Sequence, residues 1–167
     1  APNSLAVQKI RAIDAKMEGE RALKVFEKSL LESLTTGGRK PSGLQRAQAG
    51  EVLEIAGLYD AAETQYRGAV AQDQKLGLAL ASFLSRQGKL SEFVDVCRDL
   101  ASEANIRILC GLVYNTVISH PQEISAENMR QIGEWFAMAK RKFPQDVSLR
   151  MLEALLLDQD GKTAEAV

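Results

Sequence analysis

The sequence has few of the residues from which metal and catalytic sites are usually built. It contains one histidine and two cysteines, and the cysteines, Cys97 and Cys110, do not form a CxxC motif. This inventory argues against a disulfide framework and against a zinc site. The Gly-Gly-Arg-Lys stretch at 37–40 lacks the GxxxxGK[ST] pattern of a phosphate-binding loop and follows a predicted helix, not a strand. We therefore expect no metal, no cofactor and no enzymatic activity.

Excess charge and long apolar runs are absent as well. Lys and Arg total 21 and Asp and Glu total 22, so the net charge of −1 gives no reason to expect a nucleic-acid partner. No apolar run approaches the ~20 residues that cross a bilayer, and we expect no membrane insertion. The first residues lack the pattern of a signal peptide, which favours the cytoplasm without assigning a compartment. The chain has no initiator Met, and we expect it to be part of a longer protein.

Apolar residues recur with the period of an α-helix along the whole chain, and no segment shows the strict alternation of a strand. The pattern predicts helices at 4–18, 20–34, 44–56, 60–72, 75–87, 90–103, 105–119, 125–142 and 147–159, with another beginning at 162. A turn-rich segment at 35–43 and single glycines separate predicted helices. We expect an all-α protein built from short antiparallel helix pairs.

A pattern of small and bulky residues repeats along these helices. In the first helix of each pair, a small residue lies three positions before a bulky one: Gly50 and Leu53, Ala81 and Leu84, Gly111 and Tyr114, Ala154 and Leu157. The second helices carry triplets spaced by four and then three residues: Ala62–Tyr66–Ala69, Phe93–Cys97–Leu100 and Ile132–Phe136–Ala139. Small residues let helices approach closely, and one pair cannot bury such a face alone. We therefore expect the pairs to stack.

The segment GLYDAAETQYRGAVAQDQ, residues 57–74, resembles the second half of a tetratricopeptide repeat. The matching positions are Gly57, Tyr59, Ala62, Tyr66 and Ala69. The resemblance implies a right-handed α-solenoid of antiparallel helix hairpins, a superhelix like that of the family, over 43–167. Its repeats would be 43–73, 74–103, 104–146 and a truncated 147–167. Residues 1–42 would form an N-terminal capping helix pair or one long helix.

The chain departs from the family pattern early in each first helix. A bulky aromatic residue is usual there, and the chain has other residues instead: Arg46, Gly77, Arg107 and Arg150. Two of the repeats are also shorter than is usual in the family. These departures predict uneven curvature of the array.

The resemblance implies a non-catalytic scaffold module that binds a protein or peptide partner of unknown identity on the concave face lined by the first helices. The positions on that face are Ala47, Glu51, Glu54, Ile55, Leu78, Ser82, Ser85, Arg86, Ile108, Leu112, Asn115, Thr116, Met151, Leu155 and Asp158. Chaperone-binding members of the family hold a terminal carboxylate with a clamp of Lys, Arg and Asn. Because Glu51 and Glu54 are acidic, we expect a neutral or mildly basic segment instead.

Two other functions stay open. The end of the array, 151–167, could pair with a second copy and make the chain a homo-oligomerisation module. A small-ligand-binding or enzymatic domain, with 115–131 as a lid, is the further alternative.

Four residues have a structural interpretation that we prefer to a chemical one. Cys97 and Cys110 occupy packing positions and are expected to be buried and inert, with a disulfide between them left open. His120 precedes Pro121 and is expected to end a helix. We assign the packing position of its helix to Phe136 and expect Trp135 to be buried against the adjoining repeat and not exposed as a binding anchor.

Overall fold

The computed structural model of the chain describes residues 4–35, 38–102, 104–120 and 124–159. All regular structure in these ranges is helical, which confirms the all-α prediction. The α-helices are α1 (Leu5–Glu18), α2 (Glu20–Leu34), α3 (Gly43–Ala56), α4 (Tyr59–Val70), α5 (Gly77–Arg86), α6 (Leu90–Arg98), α7 (Ile106–Ser119), α8 (Ala126–Lys142) and α9 (Val147–Gln159). A short 3₁₀-helix, Gln74–Leu76, precedes α5.

The helix boundaries follow from local hydrogen bonds at their ends. Ser42 opens α3 with a reciprocal pair, in which its hydroxyl accepts from the Gln45 amide and the Gln45 side chain accepts from the Ser42 amide. Ser4 and Ser125 accept from backbone amides in the same way at the start of α1 and α8. Gly19 has a φ of 101°, which most side chains disfavour, and it separates α1 from α2. Residues 5–34 are therefore two helices and not one.

The predicted helices agree with the structure to within one residue except at three ends. The helix expected from 75 begins at Gly77, after the 3₁₀-helix. The helix expected to reach 103 ends at Arg98, because the Leu100 and Ala101 amides both donate to the Cys97 carbonyl. Asn105 then donates from its side chain to the Leu100 carbonyl. The helix expected to reach 72 ends at Val70, and the Asp73 side chain accepts from the Lys75 amide to begin the 3₁₀-helix. The helix expected from 162 lies outside the described residues.

The chain divides into two compact units, residues 1–80 and 81–167. In the first unit, α1 contacts α2 and α3, α2 contacts α3, and α3 contacts α4. In the second unit, α6 contacts α7 and α8, α7 contacts α8 and α9, and α8 contacts α9. In each unit, helices next to one another in sequence are therefore also neighbours in space, and so are some helices two apart.

The most extensive helix contact in the first unit joins α3 to α4. A Cβ atom added at Gly50 would lie 3.0 Å from the Tyr66 ring, so the ring would have to shift by a few tenths of an ångström to admit any other residue. The small residues on either side of the tyrosine, Ala62 and Ala69, are buried with it. The spacing read from the sequence thus marks a real interface here, in which small residues admit a neighbouring helix and the aromatic ring fills the gap.

Arg46 occupies space on the same interface. Its aliphatic stem lies over Gly68, where an added Cβ would be 3.2 Å from the arginine Cδ. Its guanidinium donates to the Gln65 side chain at 3.1 Å. The arginine therefore packs on α4 with its carbon chain, and one guanidinium nitrogen is hydrogen-bonded while its buried Nε has no hydrogen-bond partner.

The packing residue of α8 differs from the sequence prediction. Trp135 is buried and meets Phe93 edge-to-face, with ring centroids 6.4 Å apart. Phe136 is only partly buried and has Lys140 above its ring. The assignment of Phe136 to the packing position is therefore wrong, and the buried triplet of α8 is spaced by three and then four residues: Ile132, Trp135 and Ala139.

Gly111 also departs from the predicted pattern. No atom lies within 4 Å of a Cβ added there, so α7 makes no close approach at this glycine. The small residue that the repeat pattern marks in α7 therefore differs in its surroundings from Gly50.

Gly50→Ala and Gly111→Ala should change stability in opposite directions. The first places a methyl group against a ring that is buried and hydrogen-bonded, and we expect a loss of about 1–3 kcal/mol in the free energy of unfolding. The second replaces glycine by alanine in an open helix position and should gain about 0.5–1 kcal/mol. Urea unfolding followed by circular dichroism measures both. A stabilising Gly50→Ala would contradict the close contact described for α3 and α4.

Candidate functional site

The acidic residues predicted to face a ligand on α3 have partners within the first unit. Lys9 of α1 donates to the Glu51 carboxylate at 2.5 Å, and the two side chains are about one-third and one-half exposed. The Tyr66 hydroxyl donates to Glu54 at 3.2 Å. Ile55 is half-buried beside them. A basic ligand on this face would compete with Lys9 for Glu51, which reduces the expected electrostatic attraction.

Two of the predicted ligand-facing hydroxyls, Ser85 and Thr116, are buried in the second unit. Thr116 Oγ1 donates to Ser85 Oγ at 2.7 Å. Ser85 Oγ in turn donates to the Leu112 carbonyl at 3.1 Å. Both side chains have 3% exposure or less, so their hydroxyls link α5 to α7 and offer a ligand no accessible group. These contacts were missed because residue spacing assigns a face to a helix but does not say which neighbour covers it.

The remaining predicted positions on α3 and α5 have mixed exposure. Ala47, Leu78 and Ser82 are half-buried, whereas Arg86 is exposed. The backbone carbonyl of Arg86 accepts from the His120 Nε2 at 2.9 Å. His120 follows the last residue of α7, as predicted, and its ring lies against Gly88, where an added Cβ would be 2.6 Å from the imidazole Cγ. His120 thus connects the C-terminal end of α7 to the C-terminal end of α5.

The remaining predicted positions on α7 and α9 are accessible and form two matching stripes. Each stripe has the same spacing of four and three residues, which places its members within about 60° on one side of a helix. The α7 stripe consists of Ile108, Leu112 and Asn115, and the α9 stripe consists of Met151, Leu155 and Asp158. Ile108 and Met151 are each about half exposed, and Asn115 and Asp158 are exposed. Because α7 contacts α9, we call these six residues the α7–α9 surface.

The loop that joins α8 to α9 is held by a charged residue. Asp146 Oδ1 accepts from the Ser148 amide at 2.9 Å near the start of α9, and Arg107 donates to its other carboxylate oxygen at 2.5 Å. Burial raises the pKa of Asp146, but the Ser148 amide and Arg107 outweigh it, and the pKa lies below the ordinary value. Arg107 also stacks over the Phe143 ring. The contacts tie the first turn of α7 to the start of α9.

Both cysteines have free thiols and are buried. Burial raises the pKa of the Cys97 thiol to about 12 and that of the Cys110 thiol to about 11. A nucleophilic cysteine needs the thiolate form at neutral pH, and burial acts against it here. Both residues pack as small apolar side chains, in agreement with the sequence interpretation, and the disulfide left open there is not formed.

The segment considered as a lid, 115–131, is largely helical. Residues 115–119 complete α7, and 126–131 form the first turns of α8, while 121–123 lie outside the described residues. In the part of the chain that the structure describes, no three His, Cys, Asp or Glu side chains are grouped so that they could hold a metal ion. Within the same residues, no helix is both long enough and apolar enough to cross a membrane.

No protein-family model, curated protein or solved structure was found to match this chain. The resemblance to tetratricopeptide repeats therefore stays a prediction from the residues themselves.

Sequence reasoning overlooked one surface, on α1. Four large apolar side chains of this helix are exposed: Val7, Ile10, Ile13 and Met17. Their spacing was the available signal, because the intervals between them are three or four residues and place all four on one side of a helix.

Thr116→Val should destabilise the protein because it removes the donor to Ser85 while keeping the size of the side chain. A lost buried hydrogen bond predicts a decrease of about 0.5–1.5 kcal/mol in the free energy of unfolding, measured by urea titration. The exposed neighbour Asn115 supplies the control, since Asn115→Gln should stay within about 0.5 kcal/mol of the parent. Equal stability of Thr116→Val and the parent would mean that the hydroxyl pair does not hold α5 to α7.

The buried thiols predict that stability decreases at alkaline pH. The unfolded chain loses thiol protons near the ordinary pKa of 9.0, whereas the folded chain keeps them to about 11 or 12. The unfolded state thus binds fewer protons above pH 9, and the free energy of unfolding must fall there. Urea unfolding at pH 8 and pH 10 measures the decrease, and a Cys97→Ala/Cys110→Ala variant should show a smaller one. Parallel decreases in both chains would refute this origin.

Proposed function

We propose that this chain is a non-catalytic module that binds a protein or peptide segment through the exposed faces of its first helices. The proposal includes a right-handed solenoid of antiparallel hairpins, as in tetratricopeptide repeats. It is supported by the helix neighbours within each unit and by the Gly50–Tyr66 contact, since both are expected when helix pairs stack.

The observation that carries this function is the composition of the α7–α9 surface. Ile108 and Met151 offer apolar area that is already half exposed, and Asn115 can both donate to and accept from a peptide backbone. Binding surfaces commonly combine an apolar centre with a few polar groups that fix orientation. Asp158 adds a carboxylate at the edge, which favours a neutral or mildly basic segment over an acidic one.

The first unit is less suited to bind the ligand. Glu51 is paired with Lys9, and Glu54 accepts a hydrogen bond from Tyr66, so neither carboxylate faces solvent without an intramolecular partner. An incoming basic group would gain an ion pair with Glu51 only by displacing Lys9. We therefore place the ligand-binding energy chiefly on the α7–α9 surface.

Peptide selection tests this proposal and does not require that the partner be identified first. A random-sequence peptide library displayed on phage is selected against the whole chain, and the affinity of the enriched peptide is measured by fluorescence anisotropy. Met151→Glu should raise the Kd at least about tenfold, since it puts a charge in the apolar centre of the contact. Asp158→Lys should weaken the binding of a basic peptide and spare a neutral one.

Leu44→Glu is the matched control. Leu44 is 60% exposed on α3, close to the 49% of Met151, and it lies outside the predicted binding positions. It should leave the Kd unchanged, and circular dichroism must show that both variants are folded. The proposed surface is refuted if the library yields no specific peptide, or if Leu44→Glu weakens binding as much as Met151→Glu.

A further inference from the structure

In α1 the large apolar residues lie on the exposed side and small or polar residues lie on the buried side, which is the reverse of an ordinary core helix. The buried residues of α1 are Gln8, Ala12 and Ala15, which are small or polar. Its large apolar side chains lie outside, with exposures of 36% for Val7, 58% for Ile10, 49% for Ile13 and 81% for Met17. Single exposed apolar residues are ordinary on protein surfaces, but four in sequence on one helix are not explained in that way.

These four residues, which we call the α1 stripe, form one continuous surface. At 100° per residue they fall within about 120° of the helix circumference, and Val7 to Met17 spans roughly 15 Å along the axis. The small residues Ala12 and Ala15 lie on the opposite side, where α1 contacts α2 and α3. The stripe therefore faces away from the helices of its own unit.

Three charged residues of α1 lie in or beside the α1 stripe. Arg11, Asp14 and Glu18 of α1 line a groove of about 600 Å³ between α1 and α2 together with Arg21 of α2, and Asp14 also lies within the arc of the stripe. Among the described residues, neither Arg11 nor Asp14 forms an ion pair within this chain. A carboxylate within an apolar contact is costly unless an opposite charge meets it, so an occupant that brings a cation to Asp14 is favoured over one that does not.

We propose that the occupant is a second copy of this chain, with the two α1 helices packed antiparallel about a two-fold axis. When the stripes overlap fully, Val7 of one copy lies opposite Met17 of the other. In that register Arg11 falls within one residue, about 1.5 Å along the axis, of the position opposite Asp14 of the other copy. The two-fold axis forms this ion pair twice.

The charge order of the stripe selects this arrangement over a parallel one. In a parallel pair the two copies of Asp14 would lie at the same height across the contact, where their like charges repel, and each Arg11 would lie three residues, about 4.5 Å along the axis, from Asp14 of the other copy. In the antiparallel pair each Asp14 meets an Arg11, while the isoleucines pack near the axis. The same patch then serves both copies, as a closed dimer requires. This inference concerns a surface separate from the α7–α9 surface and does not rest on the proposed function.

Sedimentation velocity of the whole chain over a range of concentrations tests the dimer. We expect the mass to rise from the 18.3 kDa of one chain to twice that value. Ile10→Glu should raise the dimer dissociation constant by more than about tenfold, because the two-fold axis brings the change into the interface twice. Leu44→Glu is the matched control, since Leu44 is 60% exposed and Ile10 is 58% exposed. It should leave the dissociation constant unchanged.

A charge exchange gives the sharpest test of the register. Arg11→Asp and Asp14→Arg should each weaken the dimer, because each leaves like charges facing across the contact. The double variant Arg11→Asp/Asp14→Arg restores opposite charges in both positions and should recover the dimer. Circular dichroism of all three variants must match that of the parent, so that loss of the fold is not mistaken for loss of association.

Several outcomes would overturn the proposal. The parent chain could remain monomeric at every concentration, or the double exchange could fail to restore association. A dimer lost in Met151→Glu but kept in Ile10→Glu would place self-assembly at α9 instead. A monomer in which Met17 resists oxidation by peroxide would mean that the stripe is covered from within the same chain.

Discussion

The contact between Gly50 and the Tyr66 ring sets how closely two helices of the first unit can approach, and the other contacts of that interface depend on it. Helices of 12–14 residues, such as α3 and α4, are marginal in isolation and owe their stability to packing. With the ring seated on a glycine, Ala62 and Ala69 can be buried beside it and the tyrosine hydroxyl can reach Glu54. Arg46 then closes the other end of the contact by lying over Gly68.

The second unit combines large side chains with polar contacts between helices. Phe93 and Trp135 fill the space between α6 and α8 with an edge-to-face pair. Polar contacts add directional restraint: Thr116 and Ser85 link α7 to α5, and Asn128 donates to Ser91 at 3.0 Å to link α8 to α6. Apolar packing tolerates small displacements of a helix along its axis, whereas a hydrogen bond does not. These polar pairs therefore determine the register in which the helices pack.

The sequence predicted the helices well because their ends carry local signals. Glycines such as Gly57 lie at positions with positive φ, and serine caps such as Ser42 satisfy free backbone amides. The choice between Trp135 and Phe136 was harder, because adjacent residues are separated by only 100° on a helix and either could face a neighbour. Repeat spacing favoured Phe136 as the packing residue of α8, but in the structure Trp135 is the one buried against the Phe93 ring. Spacing alone does not contain that information.

The candidate site was predicted less completely, for the same physical reason. Ile108 and Met151 are accessible as expected, but Ser85 and Thr116 have the same helical spacing and are buried. Whether a helix face is covered depends on residues far away in sequence, which a local pattern does not identify. The apolar residues of α1 illustrate the converse, since a helix with this composition would normally turn its isoleucines inward.

The placement of the two cysteines gives the molecule a built-in reporter. Both thiols lie in the second unit, one on α6 and the other on α7, and residues 1–80 contain no cysteine. A disulfide reagent can reach a buried thiol only when the surrounding helices open, so its rate of labelling follows the population of the opened state. Labelling kinetics therefore follow the opening of residues 81–167 separately from that of residues 1–80. The natural sequence thus allows the opening of residues 81–167 to be followed without any added probe and without a signal from residues 1–80.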